Sequence, residues 1–445
     1  MERIFSGGSA VEPLRKLSHF PAISPAFQQR AATGARRKGS HMKFNAMIRT
    51  ALAGATSLAI ALGTTACSRD YTAAYVYSTS ASNGTISGFA VDYQSGVLTP
   101  LAGSPFASQL SNPTTLVPTP NGKFLYVIGG TQNAAVQEFS VGTDGKIYGQ
   151  NTYNITGTYP TAAAIDSTGG YLYVTYTYQV GYGPANPGPG GITIFKINAD
   201  NSLGTPTNVN VGNRPIAIAV SVPVPTTSNV YVYVVDQETS PNATTIGFQQ
   251  NTSSGALTLV AGSTCTGTPT ICTGVHSGVT PSAIAIDPTG RYVYVTDKSS
   301  NQILGYQIAS ATGTLTALVS SPYATGLYPV AITIDPRGKY IYTANYNSNS
   351  VSSYSLNSSD GSLGGTAAVG NFSTATGPTC VTVEPALGIY LYTSNYLDNS
   401  VSGAQLSPNT GQLQGIANTP FPVGSLPSCV TSVANGSHSS SLVNP

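Results

Sequence analysis

One pattern recurs seven times along this chain, and it constrains the fold more than any other feature. Its clearest copy begins at Pro281-Ser-Ala-Ile-Ala-Ile, turns through Asp287-Pro-Thr-Gly290 and continues as Arg291-Tyr-Val-Tyr-Val-Thr-Asp297. Ile303-Leu-Gly-Tyr-Gln-Ile308, a Thr312-Gly313 turn and Leu315-Thr-Ala-Leu-Val319 complete it. The leading proline returns at 113, 160, 215, 281, 329, 378 and 427, at spacings of 47, 55, 66, 48, 49 and 49 residues. The aromatic strand returns as often, centred on Val76, Leu125, Leu172, Val232, Val293, Ile341 and Leu391. Internal periods of this length mark stacked supersecondary units.

Each copy reads as four short strands bounded by turn residues. Asp-Pro-x-Gly at 287–290 and 335–338 puts Asp, Pro and Gly at the first, second and fourth positions of a tight turn. These aspartates are therefore turn residues rather than catalytic acids. Only 8% of residues are charged, while Gly, Pro, Ser, Thr, Asn and Tyr abound, a balance that favours strands over helices. The absence of Trp excludes repeats built on a Trp-Asp pair. Sheets repeated radially pack both faces on their neighbours and leave only short edges, which accounts for the apolar residues on both sides of 292–295. The first copy starts at Tyr75-Val-Tyr77 with no proline-led strand before it, and the last proline strand, Pro427-Ser-Cys-Val-Thr-Ser-Val433, lacks an aromatic strand after it. The chain is thus predicted to be an all-β, seven-bladed propeller over residues 71–435, closed by a C-terminal strand that completes blade one. Residues 436–445 are expected to be a flexible tail.

Ahead of the repeats, Lys43 and Arg49 precede an apolar, small-residue run at 51–62 that ends in Gly63-Thr-Thr-Ala-Cys67. A charged start, a short apolar stretch and small residues before a cleavage point make a secretory signal, here 42–66. That stretch is too short to span a bilayer as a helix. Thr-Thr-Ala-Cys resembles a bacterial lipobox, which implies lipidation of Cys67 and a tether at 67–70; simple secretion and an uncleaved anchor are the alternatives. Met42 is a plausible start, and residues 1–41 are expected to be disordered or an over-extended reading frame, since the residues after Arg36-Arg37 fit a twin-arginine signal poorly. The expected location is the bacterial cell envelope, periplasm or cell surface. From Cys67 onward nine basic residues face fourteen acidic ones, so the body is mildly acidic and nucleic acid is excluded as a partner.

Tyr294-Val-Thr-Asp297, Tyr342-Thr-Ala-Asn345 and Tyr392-Thr-Ser-Asn395 each follow a Pro-x-Gly or related turn. On these motifs the chain resembles the YVTN and lactonase-like seven-bladed propeller superfamily, over roughly residues 71–435. The resemblance implies the propeller fold and, for the lactonase branch, hydrolysis of a sugar lactone in the manner of a 6-phosphogluconolactonase. That branch is expected to carry a histidine-rich segment at the start of one inner strand, with arginine and glutamate near the channel. Here Pro160-Thr-Ala-Ala-Ala-Ile165 is histidine-free, and the histidines after Cys67 are His276 and His438. No Ser-His-Asp set, phosphate-binding glycine loop or metal cluster is evident in the sequence, and no Cys-x-x-Cys-His marks a haem. The residues therefore favour an exported binding scaffold for a small molecule, glycan or envelope protein, monomeric and without metal or cofactor, with lactonase as the alternative.

Cys265 and Cys272 lie in the long connection between blades four and five and are expected to form a loop disulfide in an oxidising compartment. Cys380 and Cys429 each lie two residues after a repeat proline. For this pair, a bridge between adjacent blades and two buried free thiols both stand open. Insertions at 176–191 in blade three and 262–280 after blade four mark the expected binding face. Residues just before each proline should ring the channel mouth there: Asn112, Tyr159, Arg214, Thr280, Tyr328, Gly377 and Leu426. Arg214 is the lone charge of that ring, and with Tyr159, Tyr328, Asn112 and His276 it forms the candidate site for an anionic or sugar-like ligand. A pairing of Arg214 with a nearby loop acid and a plain surface role for His276 are the competing readings. Asp236, Asp297, Asn345 and Asn395, which end the aromatic strands, are expected to cap loops.

Overall fold

The structure is a computed structural model that describes residues 71–237, 243–267, 270–364, 371–436, 438 and 441–443. The expectations for residues 1–41, the signal at 42–66, Cys67 and the tether at 67–70 lie outside the described residues. The described residues contain strands and no helix.

Seven antiparallel, four-stranded blades follow one another. In blade five, Pro281–Ile286 is innermost, Tyr292–Asp297 and Gln302–Ile308 follow outward, and Leu315–Ala317 is outermost. Blades one, four, five and seven add a two-residue strand to the third, such as Tyr323–Ala324. Blade one is built from both chain ends: Pro427–Ala434 pairs with Thr72–Ser80 from Ala74↔Ala434 to Ser80↔Pro427. Every inner strand touches those of the two adjacent blades, Thr115–Pro118 against Gly157–Ile165 and so on round to Pro427–Ala434 against Thr115–Pro118. The ring is closed.

The repeat proline has a local consequence. With no N–H to offer the ladder, it sits at the inner strand's start, and the register skips the next residue, as between Pro281 and Ala283, Pro329 and Ala331, and Pro378 and Cys380. The skipped side chain turns to the next blade. Thr161, Ser282, Thr379 and Ser428 each donate to the carbonyl of the neighbouring blade's proline, Pro215, Pro329, Pro427 and Pro113, at 2.8, 2.7, 3.2 and 2.6 Å. In blade four that position is Ile216, and Gln237 Nε2 donates to Pro281 instead, at 3.1 Å.

Outside the channel the blades are joined by tyrosines. Tyr77, Tyr126, Tyr173, Tyr233, Tyr294, Tyr342 and Tyr392 are fully buried, one per second strand. Their hydroxyls donate to Gly145, Asn201, Gly255, Gly313, Gly361, Gly411 and Gly96, each in the turn before the outermost strand of the next blade. The last of these crosses from blade seven to blade one. Burial drives the phenols of Tyr77, Tyr173, Tyr233, Tyr294 and Tyr342 far above their ordinary range, so they remain donors. The apolar clusters also lie between blades: Tyr292 and Tyr294 of blade five pack with Ile341 and Tyr354 of blade six.

Cys265 pairs with Cys272 across the hairpin Thr264–Thr266 and Ile271–Thr273. Of the two readings for Cys380 and Cys429, the structure has the bridge, between the inner strands of blades seven and one. The aspartates of the tight turns are fixed there: Asp287 accepts the N–H groups of Arg291 and Tyr292, and Asp335 those of Lys339 and Tyr340. Glu384 replaces them in blade seven, accepting from Ala386, Leu387 and Ile389. In the segment expected to be a flexible tail, Val443 N–H donates to Leu387 at 2.9 Å and its carbonyl accepts Arg337 Nη1 at 2.9 Å, while Arg337 Nε lies 2.6 Å from Asp335.

Candidate functional site

At the end where the inner strands begin, a cavity of about 810 Å³ opens among blades three to six. Thr177, Tyr178, Pro187 and Gly188 of blade three form one wall; Asn213, Arg214 and Gln237 of blade four, Val279, Thr280 and Lys298 of blade five and Tyr328 of blade six form the rest.

The ladder explains why these positions meet. In blades four, five and six the residue before the repeat proline accepts, through its carbonyl, the N–H of the residue that follows the second strand. Gln237 donates to Arg214 at 2.9 Å, Lys298 to Thr280 at 3.0 Å and Tyr346 to Tyr328 at 2.9 Å. In blades four and five both partners, Arg214 with Gln237 and Thr280 with Lys298, line the cavity. Gln237 and Lys298 do not stand out as site residues in the sequence, because the position after the strand-ending Asp reads as ordinary loop; its recurrence one residue after Asp236, Asp297, Asn345 and Asn395 is the signal that marks it.

The strand-ending acids act on the backbone of the site. Asp236 Oδ1 accepts the N–H of Arg214 at 2.6 Å, and Asp297 accepts those of Val279 and Thr280 at 2.9 and 3.0 Å. Burial opposes the charge of Asp297, but its bonds from Ser300, Val279 and Thr280 prevail and hold the carboxyl below the usual range. Both acids are buried. The loop-capping expectation fits them but not the asparagines. Asn345 and Asn395 instead donate within their own sheets, to Ser350 and Ser352 and to Ser400 and Ser402. Their capping task passes to asparagines four residues on and at the corresponding place in blade five. Asn301, Asn349 and Asn399 accept the N–H of Tyr328, Gly377 and Leu426, at 2.7, 2.9 and 2.8 Å.

Of the residues singled out from sequence, Arg214, Thr280 and Tyr328 line the cavity. Tyr159 stands behind the wall, its ring edge-on to Tyr178 at 5.7 Å and 90°. Asn112 in blade two and His276 are not part of the lining. His276 is held by the short strand Val275–His276, its Nδ1 accepting Gly278 N–H at 3.4 Å and its carbonyl accepting Tyr306 Oη at 2.5 Å. The blade-three insertion is shorter than expected: the second strand runs Tyr171–Gln179 and the third begins at Gly191–Lys196, because Tyr176 is buried in the sheet and the inner strand extends back to pair Gly157 with Gln179.

Arg214 and Lys298 give the cavity two cationic groups, and its described lining has no Asp, Glu or His side chain. Lys298 Nζ sits 5.4 Å from the centre of the Tyr328 ring. Tyr159 and Tyr328 have φ of 56° and 60°, a left-handed conformation that bulky residues rarely adopt and that costs of order 1–3 kcal/mol. Such a wall suits an anion with an adjoining ring. Among the described residues, no group of three or more His, Cys, Asp or Glu could hold a metal.

The same ring of blades recurs in solved structures. A candidate 6-phosphogluconolactonase from Bacteroides uniformis aligns with a TM-score of 0.65 and 19% identity, over 82% of this chain and 100% of its own. The periplasmic gluconolactonase of Pseudomonas aeruginosa aligns with a TM-score of 0.62 and 18% identity, over 81% of this chain and 99% of its own. At these identities the likeness is one of fold. No curated protein matches the chain. The family model described as Lactonase, 7-bladed beta-propeller matches residues 72–217 and 224–383, and across that length of repeats the chain belongs to the seven-bladed β-propeller lactonase family.

Proposed function

We propose that the cavity hydrolyses the lactone of a sugar acid. The observation that carries this reading is the presence of Arg214 and Lys298 together in one cavity at the channel mouth of a lactonase-family propeller. Water adds to the lactone carbonyl, the ring ester C–O bond breaks, and the proton lost by water ends on the departing hydroxyl. A cation against the carbonyl oxygen stabilises the charge that develops there, and the carboxylate product meets the same groups. With no described carboxylate or imidazole in the lining, proton transfer falls to solvent, so acceleration rests on electrostatics. In turnover of glucono-1,5-lactone measured against spontaneous hydrolysis, Arg214→Ala is expected to lower the rate at least tenfold. Wild-type turnover no faster than the spontaneous reaction would sink the hydrolytic reading. That no described residue of the lining is a carboxylate or imidazole also favours a second reading, a scaffold that binds the sugar acid without turning it over.

We infer as well that the protein is exported and lipid-anchored through Cys67. The apolar run ending in Thr-Thr-Ala-Cys67 supports this, and so do the two cysteine pairings, which belong to an oxidising compartment. Mass spectrometry should find a diacylated N-terminal Cys67; an unmodified residue there would overturn the anchor.

A further inference from the structure

The volume and the aromatic wall of this cavity exceed what a single sugar acid needs. About 810 Å³ lies within the range that encloses drug-sized ligands, roughly 300–1,000 Å³, and a monosaccharide lactone fills only a fraction of it. The two cations come from blades four and five, while Tyr178, Pro187 and Gly188 face them from blade three. Tyr178 is buttressed edge-on by Tyr159, itself held in the left-handed conformation. Gly188 is packed so closely that a Cβ there would lie 2.1 Å from the Tyr182 ring, which brings a further tyrosine behind the same wall. A flat phenol beside threonine and amide groups is a surface for the apolar face of a pyranose, with hydroxyls left to Thr177, Asn213 and Gln237.

We propose that the ligand is the acid end of an oligosaccharide, an aldonic acid or its lactone that still carries at least one glycosidic sugar. Arg214 and Lys298 hold the terminal acid or lactone, and the attached sugar stacks on Tyr178. The hydrolytic part of this statement rests on the proposed lactonase activity; the binding part does not.

The test uses the purified protein, with cellobionate and gluconate as probes in isothermal titration calorimetry. Cellobionate should bind at least tenfold more tightly than gluconate. Tyr178→Ala should reduce that preference to within twofold, Tyr178→Phe should retain it, and Arg214→Ala should weaken both ligands. If Tyr178→Ala fails to fold, as read from its melting curve, Tyr178→Leu keeps apolar bulk without the flat ring and should lose the preference too. Equal affinity of the wild type for the two probes overturns the proposal, as does a preference that survives loss of the ring. Turnover of gluconolactone without any preference for cellobionate would leave the lactonase reading standing and remove this one. A clear preference for cellobionate with no turnover of cellobionolactone would do the reverse.

Discussion

Two tyrosines spaced by one residue perform separate tasks at six of the seven blade junctions. In Tyr292-Val-Tyr294 the second hydroxyl donates to Gly361 at 2.7 Å, and the first ring lies where a Cβ on Gly361 would stand, 2.4 Å away. Tyr231 and Tyr233 meet Gly313 in the same way, with that glycine at φ +71°. At one junction both partners change together: blade two has Phe124 for the first tyrosine, and blade three presents Asn201, φ 68°, for the glycine. Asparagine is the residue that best tolerates this conformation after glycine. Gly313→Ala therefore combines a disfavoured φ, about 1–2 kcal/mol, with a collision against Tyr231. Tyr294→Phe removes only the donor from a buried carbonyl, about 1–3 kcal/mol. Denaturant unfolding of both variants should place Gly313→Ala as the more destabilised; a neutral alanine there would mean that the glycine does not set the junction. The sequence displays these tyrosines as strand formers, while their partners lie 67 to 82 residues away in several junctions, which no local pattern reveals.

At the scale of the strand, the repeat proline was legible as a starting mark, but its work was not. Its missing N–H produces the bulge, the bulge turns Ser282 or Thr379 outward, and that hydroxyl joins two blades. The proline-preceding ring was likewise legible, and it led to Arg214, Thr280 and Tyr328. The second ring, Gln237 and Lys298, was not, because it follows from the pairing of two strands rather than from either one. Asn112 belongs to the proline-preceding ring but to blade two, outside the four blades that line the cavity, and His276 is a loop residue, for which sequence says nothing of which side of the mouth the loop leans on. The blade-three loop makes the opposite prediction from a core element. Its backbone is tied at the base, Gln179 N–H to Pro189 at 2.9 Å, and the chain is exposed from the first residue past the tie, Val180 at 78%. Replacing residues 180–189 with a short glycine linker should leave the melting temperature within a few degrees, since exposed loops contribute little to stability. It should also weaken cellobionate binding, since Pro187 and Gly188 form part of the wall. Collapse of the melting temperature would instead make the loop part of the fold's support.

Closure of the whole ring depends on two strands whose contacts span some 350 residues of sequence, a separation that is costly to close. The ladder between Thr72–Ser80 and Pro427–Ala434 provides the non-covalent join. Cys380–Cys429 ties the terminal strand to blade seven across a separation of 49 residues. While that bridge holds, the terminal strand travels with blade seven, so opening is confined to the ladder inside blade one. Without it, the strand can leave both neighbours. By the chain-entropy account a loop of this length contributes about 4 kcal/mol, whereas Cys265–Cys272, at a separation of 7, contributes about 2.5 kcal/mol and closes only its own hairpin. The double substitution Cys380→Ala with Cys429→Ala should therefore cost more in guanidinium unfolding than Cys265→Ala with Cys272→Ala. Reductant should lower the wild type below either oxidised variant, because it opens both bridges. It should change the Cys380/Cys429 variant only by the smaller amount due to the hairpin. Equal costs for the two pairs would show that the blade-one ladder closes the ring unaided, and that the seam is no weaker than any other junction.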